Sequence, residues 1–174
     1  MTSITSQRLF DAPADIVWAV MTDLGVYAAV APNLSSAVVL HGEGEGMIRK
    51  CVDTKGNAWT ELCHYWEAGQ GSAVAVDVET SEFHRSFFTR FEGRWELTER
   101  DDGVLVTMAF DFDTKYGPFG ALLERYFQYK AIPLIEDIFD GWSAEIETRL
   151  AKSERPDESM ALSEPETRAN QIYR

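Results

Sequence analysis

Phe87-Phe88-Thr89-Arg90-Phe91-Glu92-Gly93-Arg94-Trp95-Glu96-Leu97 sorts its side chains by parity. Phe87, Phe91, Trp95 and Leu97 fall on one side, and Arg90, Glu92, Arg94 and Glu96 on the other. A period of two is the mark of a strand with one buried and one wet face. The flanking sequence continues the theme. From Ser35 to Asp113 short extended runs are read near 36–42, 46–53, 58–67, 71–79, 86–99 and 103–112, after a first strand over Ile4–Phe10. Four of the connections are short and carry glycine: 41–46, 54–57, 68–71 and 100–103. Such links favour hairpins, and hence antiparallel neighbours. The fifth, Thr80 to Arg85, is the least turn-like and reads as a loop at the mouth of a cavity.

Helices bracket this run. Asp11-Ala12-Pro13 reads as a helix start with Asp11 as N-cap. Ile16, Val17, Val20, Met21 and Leu24 follow at helical spacing until Gly25, and Val26–Val30 forms a second short helix. Gly117-Pro118 opens a last helix, whose apolar stripe runs from Phe119 through Tyr126, Phe127, Ile138 and Trp142 to Leu150. A helix over 118–150 spans roughly 50 Å, too long to lie flat on strands of about 33 Å. Pro133 is therefore expected to bend or break it into a docked half, 133–150, and a half over 118–131 that covers the cavity.

The expected fold is α+β: a curved antiparallel sheet of about seven strands gripping a long C-terminal helix, with two short helices after the first strand. Backbone alone leaves a gap inside such a grip, closed by large side chains or kept as an apolar cavity. Residues 1–150 form one domain and 151–174 a polar tail. With 45% hydrophobic residues the chain supports a real core. No run reaches the roughly 18 apolar residues of a membrane span, and the first residues lack a signal core. Cys51 and Cys63 fit neither a CxxC pair nor a disulfide framework, and in the reducing cytoplasm expected for this chain both are thiols. A net charge of −13 disfavours nucleic acid and stable membrane insertion.

Phe91-Glu92-Gly93-Arg94-Trp95-Glu96-Leu97, the strand ending Phe110-Asp111-Phe112-Asp113, the last helix, and Phe10-Asp11-Ala12-Pro13-Ala14-Asp15-Ile16-Val17-Trp18 together resemble the START-like, helix-grip superfamily. Its members include polyketide cyclase/dehydrase-type and coenzyme Q-binding-type proteins. The resemblance implies a hydrophobic ligand (a lipid, quinone, polyketide or aromatic compound) held between sheet and helix. Aromatase/cyclase members are expected to direct an arginine into the cavity from the fourth strand. Here Glu61, Cys63 and Tyr65 hold those positions, and no arginine occurs between Lys50 and Arg85.

Glu61, Cys63 and Tyr65 share a face, and a carboxyl in an apolar cavity acquires the pKa of an acid/base. A cyclase or dehydratase would use Glu61 or Tyr65 in that role. The opposite face, Leu62, His64 and Trp66, stays an alternative, because a two-residue turn at Lys55-Gly56 sets Lys50 against Glu61 as a surface pair. Phe87, Phe91, Trp95, Met108, Phe110, Tyr126, Phe127 and Trp142, with Cys63, are the candidate ligand contacts. Arg49 and Arg90 are weaker candidates as anchors for an acidic group. His41, His64 and His84 have no metal-ligand spacing, and nothing calls for a cofactor. A protein-interaction module with a filled cavity is a third reading, and a homodimer is left open.

Overall fold

A computed structural model describes residues 1–116 and 120–153. The expected opening of the last helix at Gly117-Pro118 and the tail from residue 154 lie outside the described residues. Seven strands, β1 (Thr2–Phe10), β2 (Leu34–His41), β3 (Ile48–Asp53), β4 (Ala58–Glu67), β5 (Gly71–Val76), β6 (Phe88–Arg100) and β7 (Gly103–Thr114), make one antiparallel sheet. Its order is β1-β7-β6-β5-β4-β3-β2. Every neighbouring pair except β1–β7 is sequential in the chain, and that closing pair brings Phe10 opposite Val104.

Two short helices, α1 (Ala14–Met21) and α2 (Leu24–Val30), follow β1. Asp11 does not cap α1: the helix starts after Pro13, which supplies no side-chain hydrogen bond. Nor does Gly25 end it. Asp23 caps α2 by accepting from the Gly25 and Val26 N–H groups at 3.0 and 3.2 Å, so Gly25 lies in the first turn of α2. Arg149 then ties the same carboxylate to the far end of the chain at 2.9 Å.

The segment after β5 is no open loop. A 3₁₀ turn over Val78–Thr80 leads into α3 (Glu82–Phe87), capped by Ser81. Phe87 thus ends a helix and does not share the inward face of β6 with Phe91. Along β6 itself the alternation holds, with Trp95 and Gly93 buried and Arg94 and Glu96 exposed.

The last helix, α4 (Gly120–Ser153), runs unbroken through Pro133. The ring stands on the exposed side, so the Tyr129 carbonyl that loses its partner faces water. Packing changes at the proline even though the helix does not stop. Beyond it Ile135, Ile138, Phe139, Trp142 and Ile146 are buried against the sheet and α1. Before it Leu122, Tyr126 and Tyr129 are exposed. Gly141 lets α4 cross α2 at close range, since a Cβ there would collide with the Val30 side chain.

Candidate functional site

Between the concave face of the sheet, α3 and the N-terminal half of α4 lies a cavity of ≈ 360 Å³. Its walls are rings: Trp59 from β4, Phe88 and Phe91 from β6, Phe110 and Phe112 from β7, and Phe127 from α4. The rings interlock, Phe91 stacking on Phe112 at 5.9 Å and Phe88 meeting Phe127 at 4.8 Å. Exposed Asn33, Lys55, Asn57 and Lys130 mark the mouth.

Polar groups enter this apolar wall from three places. The first is a buried ion pair across the β3–β4 hairpin, where Arg49 Nε donates to Glu61 Oε2 at 2.5 Å. Trp59 Nε1 donates to the other carboxylate oxygen, Oε1, at 2.7 Å. Both Glu61 oxygens are therefore engaged by the protein. The guanidinium also lies over the rings of Tyr27 and Trp95, each at 5.5 Å. Burial pulls the Arg49 pKa down, but Glu61 and Tyr27 outweigh it and hold it above the ordinary value. The second polar group is Tyr27 of α2, whose phenol burial pushes up against the opposing pull of Arg49. Cys51 lies beside them, its thiol pushed up to about 12 by burial and by Glu61, and so inert as a nucleophile.

The third is His84 of α3. Its Nδ1 lies 2.8 Å from Ser81 Oγ, and its ring is surrounded by Trp59, Phe83, Phe88 and Phe91 at centroid distances of 5.1 to 6.0 Å. Burial pulls its pKa to about 4, more than Glu61 and Asp53 can restore. The imidazole is neutral at neutral pH.

The sequence-derived candidates divide. Glu61, Phe91, Phe110 and Phe127 line the cavity. Cys63 also points inward, but toward a separate void of ≈ 20 Å³ that it shares with Trp95, Arg49 and Ser72. Met108 and Trp142 are fully buried packing. Phe87 and Tyr126 border an open hollow on the outer side of α4. Tyr65 is a correction. A bulge between Cys63 and Tyr65 shifts the register of β4 against β5, so Tyr65 turns outward and bonds Glu67 at 3.0 Å while Trp66 turns in. Neither expected face was right along the whole strand.

The partner of Glu61 is a second correction. Asp53 accepts from the Lys55 and Asn57 N–H groups, both at 2.8 Å, and so closes a four-residue loop. That loop sets Arg49 opposite Glu61 and Lys50 opposite Thr60. The inward arginine comes from β3 and borders the smaller void, held there by Glu61, which lines the large cavity. His84 was missed as a cavity residue, although Ser81 followed by Glu82 carries the signal of a helix start. Among the described residues no group of three His, Cys, Asp or Glu side chains is placed to hold a metal ion, and no helix is long and apolar enough to cross a membrane.

Residues 1–150 match the model of the family described as polyketide cyclase / dehydrase and lipid transport. The chain belongs to that family. No curated protein matches it in sequence. Solved structures with the same fold include the Zhui aromatase/cyclase from Streptomyces sp. R1128, at 18% identity and a TM-score of 0.69 over 86% of this chain and 95% of that one. A protein of Thermus thermophilus gives 19% identity and 0.68 over 85% and 99%. A START superfamily protein from Mycobacterium smegmatis gives 13% and 0.64 over 84% and 97%. At these identities the likeness is one of fold: a START-like sheet gripping its C-terminal helix.

Proposed function

We propose that this member of the family binds a hydrophobic, ring-bearing small molecule between the sheet and α4. The observation that carries the reading is the unfilled, aromatic-walled space of ≈ 360 Å³, within the size range of small-molecule sites. Eight Phe, Tyr and Trp side chains and Leu134 surround it without filling it, so a ligand gains from apolar burial at roughly 25 cal/mol per Å². The mouth between Lys55 and Lys130 would leave a polar or acidic end of the ligand in water. Membership of a family described by both cyclase and lipid-transport activity supports a hydrophobic ligand and does not choose between carriage and turnover. Glu61, with both oxygens engaged, fits a structural role better than that of a free acid/base.

Titration with the fluorescent dye 1-anilinonaphthalene-8-sulfonate tests the reading. Saturable binding of one dye per chain is expected in the parent protein. Ala131→Trp, which puts an indole into the cavity from α4, should abolish that binding while circular dichroism stays unchanged. Stoichiometric binding that survives Ala131→Trp would place the dye elsewhere and sink the proposal.

A further inference from the structure

Ser81 and His84 settle which way the cavity's imidazole presents its proton. Ser81 is buried, and its Oγ already accepts from the His84 backbone N–H at 3.2 Å. A buried hydroxyl must also place its own hydrogen on an acceptor. Among the described residues the acceptor within reach is His84 Nδ1, at 2.8 Å. If Nδ1 carried the proton instead, Oγ would accept twice and its hydrogen would have no protein partner. The hydroxyl therefore donates to Nδ1. The ring is neutral, because burial holds its pKa to about 4, so its single proton sits on Nε2. No hydrogen bond to Nε2 is found among the described residues, and the ring lines the cavity between Trp59 and Phe91.

We infer that His84 Nε2–H is a specificity-determining donor, and that the molecule bound here is an aromatic compound offering it a carbonyl-type oxygen. Glu61 and the arginine behind it favour this assignment. Both Glu61 oxygens are engaged, and Arg49 is spent on Glu61 and the rings of Tyr27 and Trp95. A ligand hydroxyl offered to Nε2–H would have to act as acceptor while its own proton sought another partner. A ketone or quinone oxygen accepts without that need. Apolar burial would hold the ring system. The Tyr27 hydroxyl is a second polar group of the wall, on α2, and His84 Nε2–H would set which edge of the ligand points toward α3.

The inference rests on the cavity-binding reading, and two measurements separate their fates. In the ligand-free, uniformly ¹⁵N-labelled chain, long-range ¹H–¹⁵N correlation spectra report the tautomer, with the His84 signals identified by their loss in His84→Gln. An Nε2-protonated ring is expected, and an Nδ1-protonated ring overturns the inference without reference to any ligand. The second measurement compares 2-acetylnaphthalene with 2-ethylnaphthalene, which share ring and size but not the carbonyl. The ketone is expected to bind about tenfold more tightly, the ratio one neutral hydrogen bond gives. His84→Phe should bring the two probes to parity and leave the affinity for 2-ethylnaphthalene near that of the parent. His84→Gln, whose amide keeps a donor, should retain part of the preference. Equal affinities in the parent overturn the donor role and leave the cavity reading standing, whereas failure of both probes to bind removes the two together.

Discussion

His84 and Arg49 are both buried beside the cavity, yet they answer the cost of burial in opposite ways. Arg49 keeps its charge because Glu61 is bonded to it, whereas His84 gives up its proton because burial outweighs the pull of Glu61 and Asp53, neither of which is bonded to it. Arg49→Met leaves the Glu61 carboxylate buried without its counter-charge, and denaturant unfolding should show a loss of about 3–5 kcal/mol. Adding Glu61→Leu should recover most of it, and a double variant as weak as the single one would mean that packing, not charge, was lost. The pH dependence of His84 has the other sign. Its folded pKa, near 4, lies below the ordinary 6.5, so the unfolded chain binds the proton first. Its contribution is fully present above pH 6.5 and is lost as the pH falls toward 4, a change of roughly 3 kcal/mol. Unfolding curves across that window should be steeper for the parent than for His84→Gln. None of this was legible in spacing. Arg49 and Glu61 are twelve residues apart, and their meeting depends on how Asp53 closes one loop.

Pro133 and Gly141 are both helix breakers in sequence terms but opposites in the folded helix. Pro133 lies on the wet side of α4, where the missing N–H costs one exposed hydrogen bond and the helix continues. Pro133→Ala is expected to raise stability by about 1–3 kcal/mol, read as a higher denaturation midpoint with an unchanged m-value. Gly141 lies where α4 crosses α2, so Gly141→Ala should cost about 1–3 kcal/mol through overpacking against Val30. Propensity alone orders the second substitution the other way, since Ala is the better helix former. A stabilised Gly141→Ala protein would show that the two helices can move apart. The seven strands were readable because hairpin turns and a period of two are local signals, whereas α3 between β5 and β6 was read as a loop. The bulge in β4 was not, because it answers to the pairing with β5 and leaves no mark on the alternation before it.

At the scale of the molecule, the cavity links binding to stability. Anything that occupies the native cavity and not the unfolded chain stabilises by mass action, about 2.7 kcal/mol at one hundred times Kd. For a chain of this length that is a rise in Tm of roughly 5–10 °C, which a thermal scan with saturating 2-acetylnaphthalene would detect. An unchanged Tm at a concentration that saturates the fluorescence titration would mean that the probe binds the unfolded chain as well. The sequence by itself determined the α+β class, the antiparallel sheet, the long last helix and an interior rich in rings. Those follow from hydrophobic periodicity and turn chemistry, which act over a few residues. Only the tertiary structure decided which rings face the cavity, that Arg49 and not Lys50 meets Glu61, that Tyr65 turns away, and that His84 turns in. The strand residues depend on register or on a bulge, since a one-residue slip in a strand moves every side chain to the other face, and His84 depends on the helix that Ser81 caps.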